Sequence, residues 1–269
     1  MELIEISYFE LMLAGLLVIL LAAVSWWARL GIGHRFLIAA VRTVIQLSLI
    51  ALVLEAIFDA EGFLWIALMA TVMLLVAGRE VANRQNRRFA RGQSFAIGTF
   101  SMFLSGFSVT LFSLLVIIGP DPWYSPQYAI PLLGMMLGNT MNGVAVSLDR
   151  LTQSAWEQRA VIETRLMLGH TWQDAIGYLR REAMRSGMIP TINAMATAGI
   201  VSLPGMMTGQ ILAGTAPALA VRYQILIMLT IAVGTGFGTM AGVLIASRRL
   251  FDGRQRLRLD RLQAPGKGW

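Results

Sequence analysis

The sequence predicts an all-α, polytopic membrane protein of about seven transmembrane helices, with its N-terminus outside and its C-terminus in the cytoplasm. Three observations support this prediction. Of the 269 residues, 56% are hydrophobic and only 14% are charged, a more apolar balance than ordinary soluble domains have. The apolar residues fall into runs of roughly 20, the length that crosses a bilayer as a helix. Basic segments also alternate along the chain with acidic or neutral ones.

The predicted spans are apolar runs that end at charged or turn-forming residues. In chain order they are 6–27, 36–58, 62–78, 95–118, 129–148, 188–214 and 223–247. The first has the length of a signal peptide, but Glu2, Glu5 and Glu10 replace the positive n-region, so it is predicted to be a retained span. The chain contains no cysteine, which excludes disulfides and thiolate metal sites.

Charge sorting between the spans sets the predicted orientation. Arginines concentrate in four segments, which are separated by acidic or nearly uncharged loops. The basic segments are 29–35, 79–91, 149–187 and 248–269. The positive-inside rule places all four in the cytoplasm. The net charge of +7 is therefore interpreted as a topology signal, and nucleic-acid binding is not expected.

The 149–187 interval is the longest polar stretch, and it contains a predicted short helix. Thr171 and Asp174 fit the first and last positions of a capping box, so the helix is predicted to begin at Trp172. Trp172, Ile176 and Leu179 then fall on one face of the helix. That apolar face requires a partner, which is the bilayer surface, the rest of this chain or another protein.

Enzymatic chemistry is not expected of this chain. The P-loop motif of ATP-hydrolysing proteins is absent, and the single lysine, Lys267, lies in the tail. Neither an H-E-x-x-H motif nor a nucleophilic serine motif occurs. If the protein performs driven transport, the energy comes from another subunit or from an ion gradient.

Polar residues inside the second span are candidates for a function. Arg42 and Gln46 share a face, while Glu55 lies 13 residues beyond Arg42, about 20 Å along a helix. Arg42 either snorkels to the nearby interface or faces a pathway. Glu55 is either a solvated interface carboxylate or, with Asp59 and Glu61, part of an acidic outer mouth that favours cations.

The fifth span carries two asparagines and a close-packing motif. Gly134 and Gly138 form a G-x-x-x-G face that allows another helix to approach closely. Asn139 and Asn142 lie one turn apart, so their amides can point to one side. Those amides either form structural hydrogen bonds between helices or line a substrate pathway.

The sixth span is the least helix-like, because Pro204 and Gly205 fall in its middle. Proline removes an amide and clashes with the preceding turn, so a kink or a break is predicted there. The irregular backbone either contacts a cation or is a plain packing kink. The neighbouring Met206 and Met207 are interpreted as adaptable packing residues rather than as soft-metal ligands.

Glycines at four-residue spacing indicate further close packing. They are Gly205 and Gly209 in the sixth span, and Gly234, Gly238 and Gly242 in the last. The spacing predicts tight helix neighbours, either within the chain or at a dimer face.

Three segments resemble the FetB-type permease family of ABC transporters: the run 129–148, the block GIVSLPGMMTG at 199–209, and Arg42 with Gln46-Leu47. The resemblance covers about residues 36–250 and implies a multi-pass permease of the bacterial inner membrane. Its partner would be a separate FetA-type ATPase, which carries the Mg-ATP, so this chain needs no cofactor. A permease homodimer is expected, because an ATPase dimer carries two ATP sites. Bacterial members are linked to iron export and plant relatives to aluminium tolerance.

The polar and helix-breaking residues inside the spans predict the substrate pathway, and the resemblance gives the cytoplasmic interval a partner. The expected pathway residues are Arg42, Gln46, Glu55, Asn139, Asn142, Ser202, Pro204, Gly205, Met206 and Met207. Glu163 and Gly169 keep the spacing of the E-A-A-x-x-x-G loop by which importer-type permeases dock on their ATPase, although Thr164 and Arg165 replace both alanines. The expected coupling residues are Glu163, Gly169, Thr171, Trp172, Asp174, Ile176, Leu179 and Arg180. In this interpretation Trp172, Ile176 and Leu179 insert into a groove on the ATPase.

The resulting domain prediction is one transmembrane permease domain, 1–250, with a cytoplasmic coupling loop at 149–187. A basic tail, 251–269, is predicted to lie on anionic lipid headgroups, because its arginines alternate with Leu257, Leu259 and Leu262. Two other classes stay open. An ion-gradient-driven carrier or channel needs no ATPase, and a non-transporting membrane scaffold needs no pathway.

Overall fold

The computed structural model describes residues 7–60 and 62–264, apart from the side chains of Asp59 and Ala60. Within these residues the chain is helical, and its only β-type contacts are isolated bridges. The predicted all-α class is therefore confirmed. Glu61 and the Asp59 side chain, two members of the predicted acidic mouth, lie outside the described part of the chain, as do the last five residues of the tail.

Ten α-helices and three short turns of other helical types make up the described chain. The α-helices are α1 (Tyr8–Trp27), α2 (Gly33–Ala60), α3 (Phe63–Asn83), α4 (Gln93–Met102), α5 (Ser108–Phe112), α6 (Pro126–Glu157), α7 (Arg159–Met167), α8 (Trp172–Thr197), α9 (Gly205–Leu212) and α10 (Pro217–Arg249). Two π-helical turns, Phe103–Phe107 and Ser113–Ile118, make α4 and α5 parts of one continuous segment. A 3₁₀ turn at Leu259–Arg261 follows α10.

Six helical segments of the described chain are long and apolar enough to cross a bilayer: α1, α2, α3, the α4–α5 segment, α6 and α10. They correspond to six of the predicted spans. The predicted sixth span, 188–214, differs, because α8 ends at Thr197 and α9 begins at Gly205. The break predicted around Pro204 is thus confirmed. Its consequence is six uninterrupted candidate spans instead of seven.

The interval 149–187 is helical almost throughout, although it was predicted to be a loop. Helix α6 extends to Glu157, α7 follows at once, and the helix predicted to be short is the first half of the 26-residue α8. The predicted start of α8 is confirmed. Thr171 is its N-cap, and the Thr171 Oγ1 accepts the Asp174 N–H at 3.3 Å.

The chain divides into two compact units. The first contains α1, α2 and residues 212–215, and the second contains the rest. In the first unit, Ser7 and Glu10 form a capping box that starts α1. The backbones of α1 and α2 approach so closely that a Cβ added at Gly33 would lie 2.7 Å from the carbonyl oxygen of Ala22. Only glycine fits at that contact.

Helix α6 is central to the second unit and packs against α3, α8 and α10. It crosses α8 with the two backbones in contact at Gly143 and Gly187. A Cβ added at Gly143 would lie 2.9 Å from the carbonyl oxygen of Gly187 and 2.5 Å from the Thr235 Cγ2 atom of α10. The three helices therefore meet where neither glycine can carry a side chain.

The glycine stripe of α10 is covered inside the same chain. Gly234 faces the methionine side chain of Met136, a Cβ added at Gly238 would lie 2.5 Å from the Thr140 Cγ2 atom, and Gly242 faces Ser101. The prediction of tight helix neighbours is confirmed for this stripe. A dimer face at the same glycines is excluded, because α4 and α6 already occupy it.

Candidate functional site

A cavity of about 290 Å³ lies between α6, α8, α9 and α10 in the second unit. Five of the predicted pathway residues line it: Asn139, Asn142, Pro204, Gly205 and Met206. They come from α6 and from the junction at which α9 begins, two regions far apart in sequence. The structure therefore brings the fifth-span asparagines to the Pro-Gly break, as a substrate pathway would require.

The break between α8 and α9 gives the cavity an irregular wall. Gly199 has φ +81°, a conformation that favours glycine, and the Thr197 carbonyl accepts the N–H groups of Val201 at 3.0 Å and Ser202 at 3.2 Å. These bonds close the turn after α8. Pro204 has no N–H to continue the helix, and α9 begins at the next residue.

The polar groups of the cavity differ in how well they are satisfied. The Asn142 Oδ1 accepts a hydrogen bond from the Arg84 guanidinium, and the Asn139 Nδ2 donates to the Met135 carbonyl of its own helix at 2.8 Å. Gln224 of α10 is 9% exposed, and its Oε1 has no hydrogen-bond partner among the described residues. An uncompensated buried amide oxygen costs free energy, so Gln224 is the least satisfied polar side chain of the cavity lining.

Gln224 was missed in the sequence, although a signal for it existed. It lies two residues after Arg222, at the start of the last apolar run. The rule that singled out Asn139 and Asn142 as amides inside a span applies equally to Gln224.

The cavity offers amides and thioethers as its ligand groups. Met135, Met195, Met206 and Met228 line it together with the amide side chains. Among the described residues, no group of three or more histidine, cysteine, aspartate or glutamate side chains is placed to hold a metal ion. The lining therefore supplies amide and thioether groups rather than a cluster of carboxylates or imidazoles.

The remaining pathway candidates lie elsewhere. Arg42, Gln46 and Glu55 are exposed residues of α2 in the first unit. Ser202 is exposed in the turn before α9, and Met207 is buried on α9; neither lines the cavity.

The coupling candidates separate into a buried and an exposed group. Ile176 is fully buried and Leu179 is 1% exposed, both in the hydrophobic core of this chain. Their predicted insertion into a groove on an ATPase is therefore wrong for this structure, because α8 uses that face to pack on its own chain. Glu163, Gly169, Thr171 and Asp174 are exposed, and Arg180 is half-buried.

Two exposed apolar residues lie at the turn between α7 and α8, where sequence periodicity gave no signal. Met167 is 81% exposed and Leu168 is 74% exposed. Gly169 follows with φ +88°, which reverses the chain into α8. We call residues 163–171 the α7–α8 turn surface; it combines this apolar pair with the exposed Glu163 and Thr171.

Trp172 holds the start of α8 against the chain that follows α10. Its ring lies 5.6 Å from that of Phe251, and the Arg248 guanidinium lies 5.4 Å from its centroid. The backbone N–H of Trp172 also donates to the Gln255 Oε1 at 2.9 Å, and this bond satisfies one of the free amides in the first turn of the helix. Trp172 is thus committed to the same chain, as Ile176 and Leu179 are.

Residues 251–264 form a segment that we call the C-terminal strap. Phe251 and Leu262 are buried, and Leu257 and Leu259 pack against the same core. The Ala90 N–H donates to the Arg261 carbonyl at 2.8 Å, which ties the strap to the connection between α3 and α4. The prediction that this tail lies on lipid headgroups is wrong for its leucines, because they are occupied within the chain.

Asp252 stabilises the turn of the strap. Its carboxylate accepts the backbone N–H groups of Arg254 at 2.9 Å and Arg256 at 3.0 Å, and it pairs with the Arg256 guanidinium at 2.8 Å. The hydrogen bond from the Arg256 backbone, aided by the other two contacts, lowers the pKa of Asp252 to about 2. Because its pKa is lowered, the ionised Asp252 carboxylate stabilises the folded state. This stabilisation is complete above the ordinary pKa of 3.8 and is lost as the pH falls toward 2.

Replacing Phe251 tests the strap. We expect Phe251→Ala to lower the free energy of unfolding by about 3–5 kcal/mol, because the ring is buried between α8 and the core. The matched change Gln255→Ala removes one exposed hydrogen bond and should cost only about 0.5–1.5 kcal/mol. Thermal unfolding in detergent measures both. Equal effects would show that the strap is not anchored by Phe251.

Comparison with known proteins identifies relatives along nearly the whole chain. Residues 8–251 match the family described as "Uncharacterised protein family (UPF0014)". The chain is 37% identical over 257 residues to the UPF0014 membrane protein slr1647 of Synechocystis sp., which covers 95% of this chain and 98% of that protein. It is 30% identical over 254 residues to the probable iron export permease protein FetB of Escherichia coli, covering 94% and 96%.

A plant relative extends the comparison. Protein ALUMINUM SENSITIVE 3 of Arabidopsis thaliana is 35% identical over 216 residues, covering 80% of this chain and 77% of that protein. No solved structure matches the chain. The predicted resemblance is confirmed: with its six candidate spans and its match from residue 8 to residue 251, the chain belongs to the UPF0014 family of membrane proteins.

Proposed function

We propose that the chain is the permease subunit of an ATP-driven ABC transporter and that it moves iron or another metal cation out of the cytoplasm. The observation that carries this proposal is the cavity beside the α8–α9 break, where five predicted pathway residues meet. The name of the Escherichia coli relative, a probable iron export permease, supports the substrate class and direction. In this proposal a separate subunit binds and hydrolyses the Mg-ATP, which is consistent with a sequence that has no P-loop.

Helix α8 supplies a route from the ATPase to the cavity. Its first residue follows the α7–α8 turn surface, and its residues 187–195 contribute to the cavity wall. At 1.5 Å per residue the 26-residue helix is about 39 Å long. From Ala175 to Gly187 the helix packs into the core, and close-packed interiors transmit strain, so in this proposal a displacement at the turn reaches the cavity wall that begins at Gly187.

The α7–α8 turn surface is the proposed contact with the ATPase. An exposed Met167-Leu168 pair beside charged residues is the composition of a protein contact, since apolar side chains gain by leaving water. In this proposal two permease and two ATPase subunits assemble in the inner membrane. Closure of the ATPases pushes the turn and switches the cavity between inward- and outward-facing states.

Metal flux in vesicles tests the proposal. Inside-out vesicles carrying this chain and its FetA-type ATPase should accumulate Fe(II) when ATP is added. Met167→Asp with Leu168→Asp should abolish both co-purification of the ATPase and ATP-dependent flux, because it places two charges in an apolar contact. The conservative pair Met167→Leu with Leu168→Ile should retain both activities.

Two results would reject parts of the proposal. Normal assembly and pumping by the double aspartate variant would remove the turn surface as the docking site. Metal flux that follows an ion gradient without ATP would favour the carrier alternative. Trp172→Asp is a poorer test, because Trp172 packs on Phe251 and its loss would disturb the fold itself.

A further inference from the structure

A second cavity, of about 490 Å³, opens at the end of α3 that carries Arg79, where the chain continues into the connection that carries Arg88. Its lining combines Arg79, Arg88 and Gly92 with the apolar side chains of Leu75, Val76 and Phe95. Its size falls within the roughly 300–1,000 Å³ range of small-molecule sites. All of these residues belong to the second compact unit.

The two arginines give the cavity a positive charge with unused donors. Among the described residues, no hydrogen bond or ion pair engages the Arg79 guanidinium. The Arg88 Nε donates to the Gln263 Oε1 at 2.7 Å, and the Gln263 N–H donates to the Arg88 carbonyl at 2.9 Å. This reciprocal pair with the C-terminal strap fixes Arg88 while its terminal nitrogens stay available. Guanidinium groups of this kind bind phosphate oxygens through paired hydrogen bonds.

The beginning of α4 adds to the same polarity. Gly92 is its N-cap, has φ +73°, and leaves the first turn without a side-chain cap. The positive end of the helix dipole therefore lies at the cavity beside the two guanidiniums.

The apolar side of the cavity continues along a candidate transmembrane span. Leu75 and Val76 lie on α3, one turn before Arg79, and each is about half exposed. Phe95 lies on the first turn of α4. An inorganic anion would leave this wall unused, whereas an acyl chain would cover it and remove apolar surface from water.

We propose that this cavity binds an anionic glycerophospholipid, with the phosphate on Arg79 and Arg88 and the acyl chains along Leu75, Val76 and Phe95. Basic pockets between helices at a membrane face bind such headgroups. The sequence placed the lipid contact at the leucines of the C-terminal strap, which pack within the chain; the proposal places it at this cavity instead. It is independent of the transported substrate.

Native mass spectrometry of the purified, delipidated protein tests the site. Phosphatidylglycerol should bind more tightly than phosphatidylcholine, and inorganic phosphate should not displace it. The double change Arg79→Gln with Arg88→Gln should weaken phosphatidylglycerol binding about 30-fold, since each arginine contributes roughly a factor of five near a lipid surface. Arg91→Gln is the matched control, because it removes the same charge from the same connection outside the cavity.

The outcomes separate the alternatives. Equal binding of phosphatidylcholine, or equal loss in Arg91→Gln, would overturn the proposal, because binding would then not depend on this pair of charges. Displacement by inorganic phosphate would assign the site to a free anion and also overturn it. Arg79→Gln alone covers the case in which the double variant misfolds: Arg79 makes no hydrogen bond among the described residues, and its loss should still weaken binding about fivefold.

Discussion

Gly143→Leu is expected to prevent accumulation of the folded protein. Gly143 lies at the crossing of α6 and α8, where an added Cβ would be 2.9 Å from the Gly187 carbonyl oxygen and 2.5 Å from the Thr235 methyl group. Overpacking a core costs about 1–3 kcal/mol when flexible side chains give way. Here one of the opposing atoms is backbone, so α6 and α8 must separate along their contact. The cost therefore exceeds that range and takes up a large part of the roughly 5–15 kcal/mol by which a typical domain is stable.

Gly138→Leu supplies the matched control on the same helix. A Cβ added at Gly138 meets no atom within 4 Å, so this substitution should leave the yield and the thermal unfolding midpoint nearly unchanged. Fluorescence-detected size exclusion in detergent measures the yield of folded protein for both variants. Equal yields for Gly143→Leu and Gly138→Leu would show that the crossing tolerates separation. The test needs no knowledge of the substrate.

The positions of most helices could be predicted from the sequence because the bilayer imposes a length. A span must bury about 20 residues, so apolar runs and flanking arginines locate α1, α2, α3 and α10 to within several residues, and they locate the start but not the end of α6, which continues to Glu157 beyond the predicted end at 148. Local chemistry located two further features. Thr171 caps α8, and Pro204 marks the break before α9, because each effect depends on backbone groups a few residues away.

What covers an apolar face could not be predicted, because periodicity is a property of one helix and packing is a property of two. Ile176 and Leu179 gave the pattern of a docking helix, yet they complete the core of their own chain. The exposed pair Met167 and Leu168 lies at the end of α7 and the start of the turn after it, where no periodicity marks it. The packing of the C-terminal strap could not be predicted for the same reason, since its leucines are compatible with both a membrane surface and a protein core.

Several lining residues of the candidate cavity could be predicted from the sequence, but their meeting in one cavity could not. Asn139 and Asn142 were identified because amides are rare inside a membrane span, and the Pro-Gly pair was identified because it disrupts a helix. Their meeting in one cavity depends on how α6, α8, α9 and α10 cross, which Gly143 and Gly187 control through a backbone contact. Each glycine contacts residues that are 40 or more positions away in the sequence, so local sequence patterns cannot predict the contact.

Gln224→Leu is expected to raise the stability of the protein while it lowers transport. Gln224 is 9% exposed and its Oε1 has no partner among the described residues, so the fold bears the cost of an unsatisfied amide. Replacing such a group with an apolar one should stabilise the fold by about 1–2 kcal/mol. If the oxygen contacts the cation during passage, its loss should reduce ATP-dependent metal flux at least about tenfold, equivalent to 1.4 kcal/mol.

Opposite signs for stability and transport separate a pathway residue from a structural one. A structural amide would lose stability and transport together, and a residue with neither role would change neither quantity. Ser202→Ala is the matched control, because Ser202 was also predicted to line the pathway but is exposed outside the cavity. Thermal unfolding in detergent and Fe(II) flux in vesicles should both stay at wild-type values for Ser202→Ala. A Gln224→Leu protein that is stabilised and pumps normally would remove this cavity from the transport path, because its least satisfied polar atom would then have no part in moving the cation.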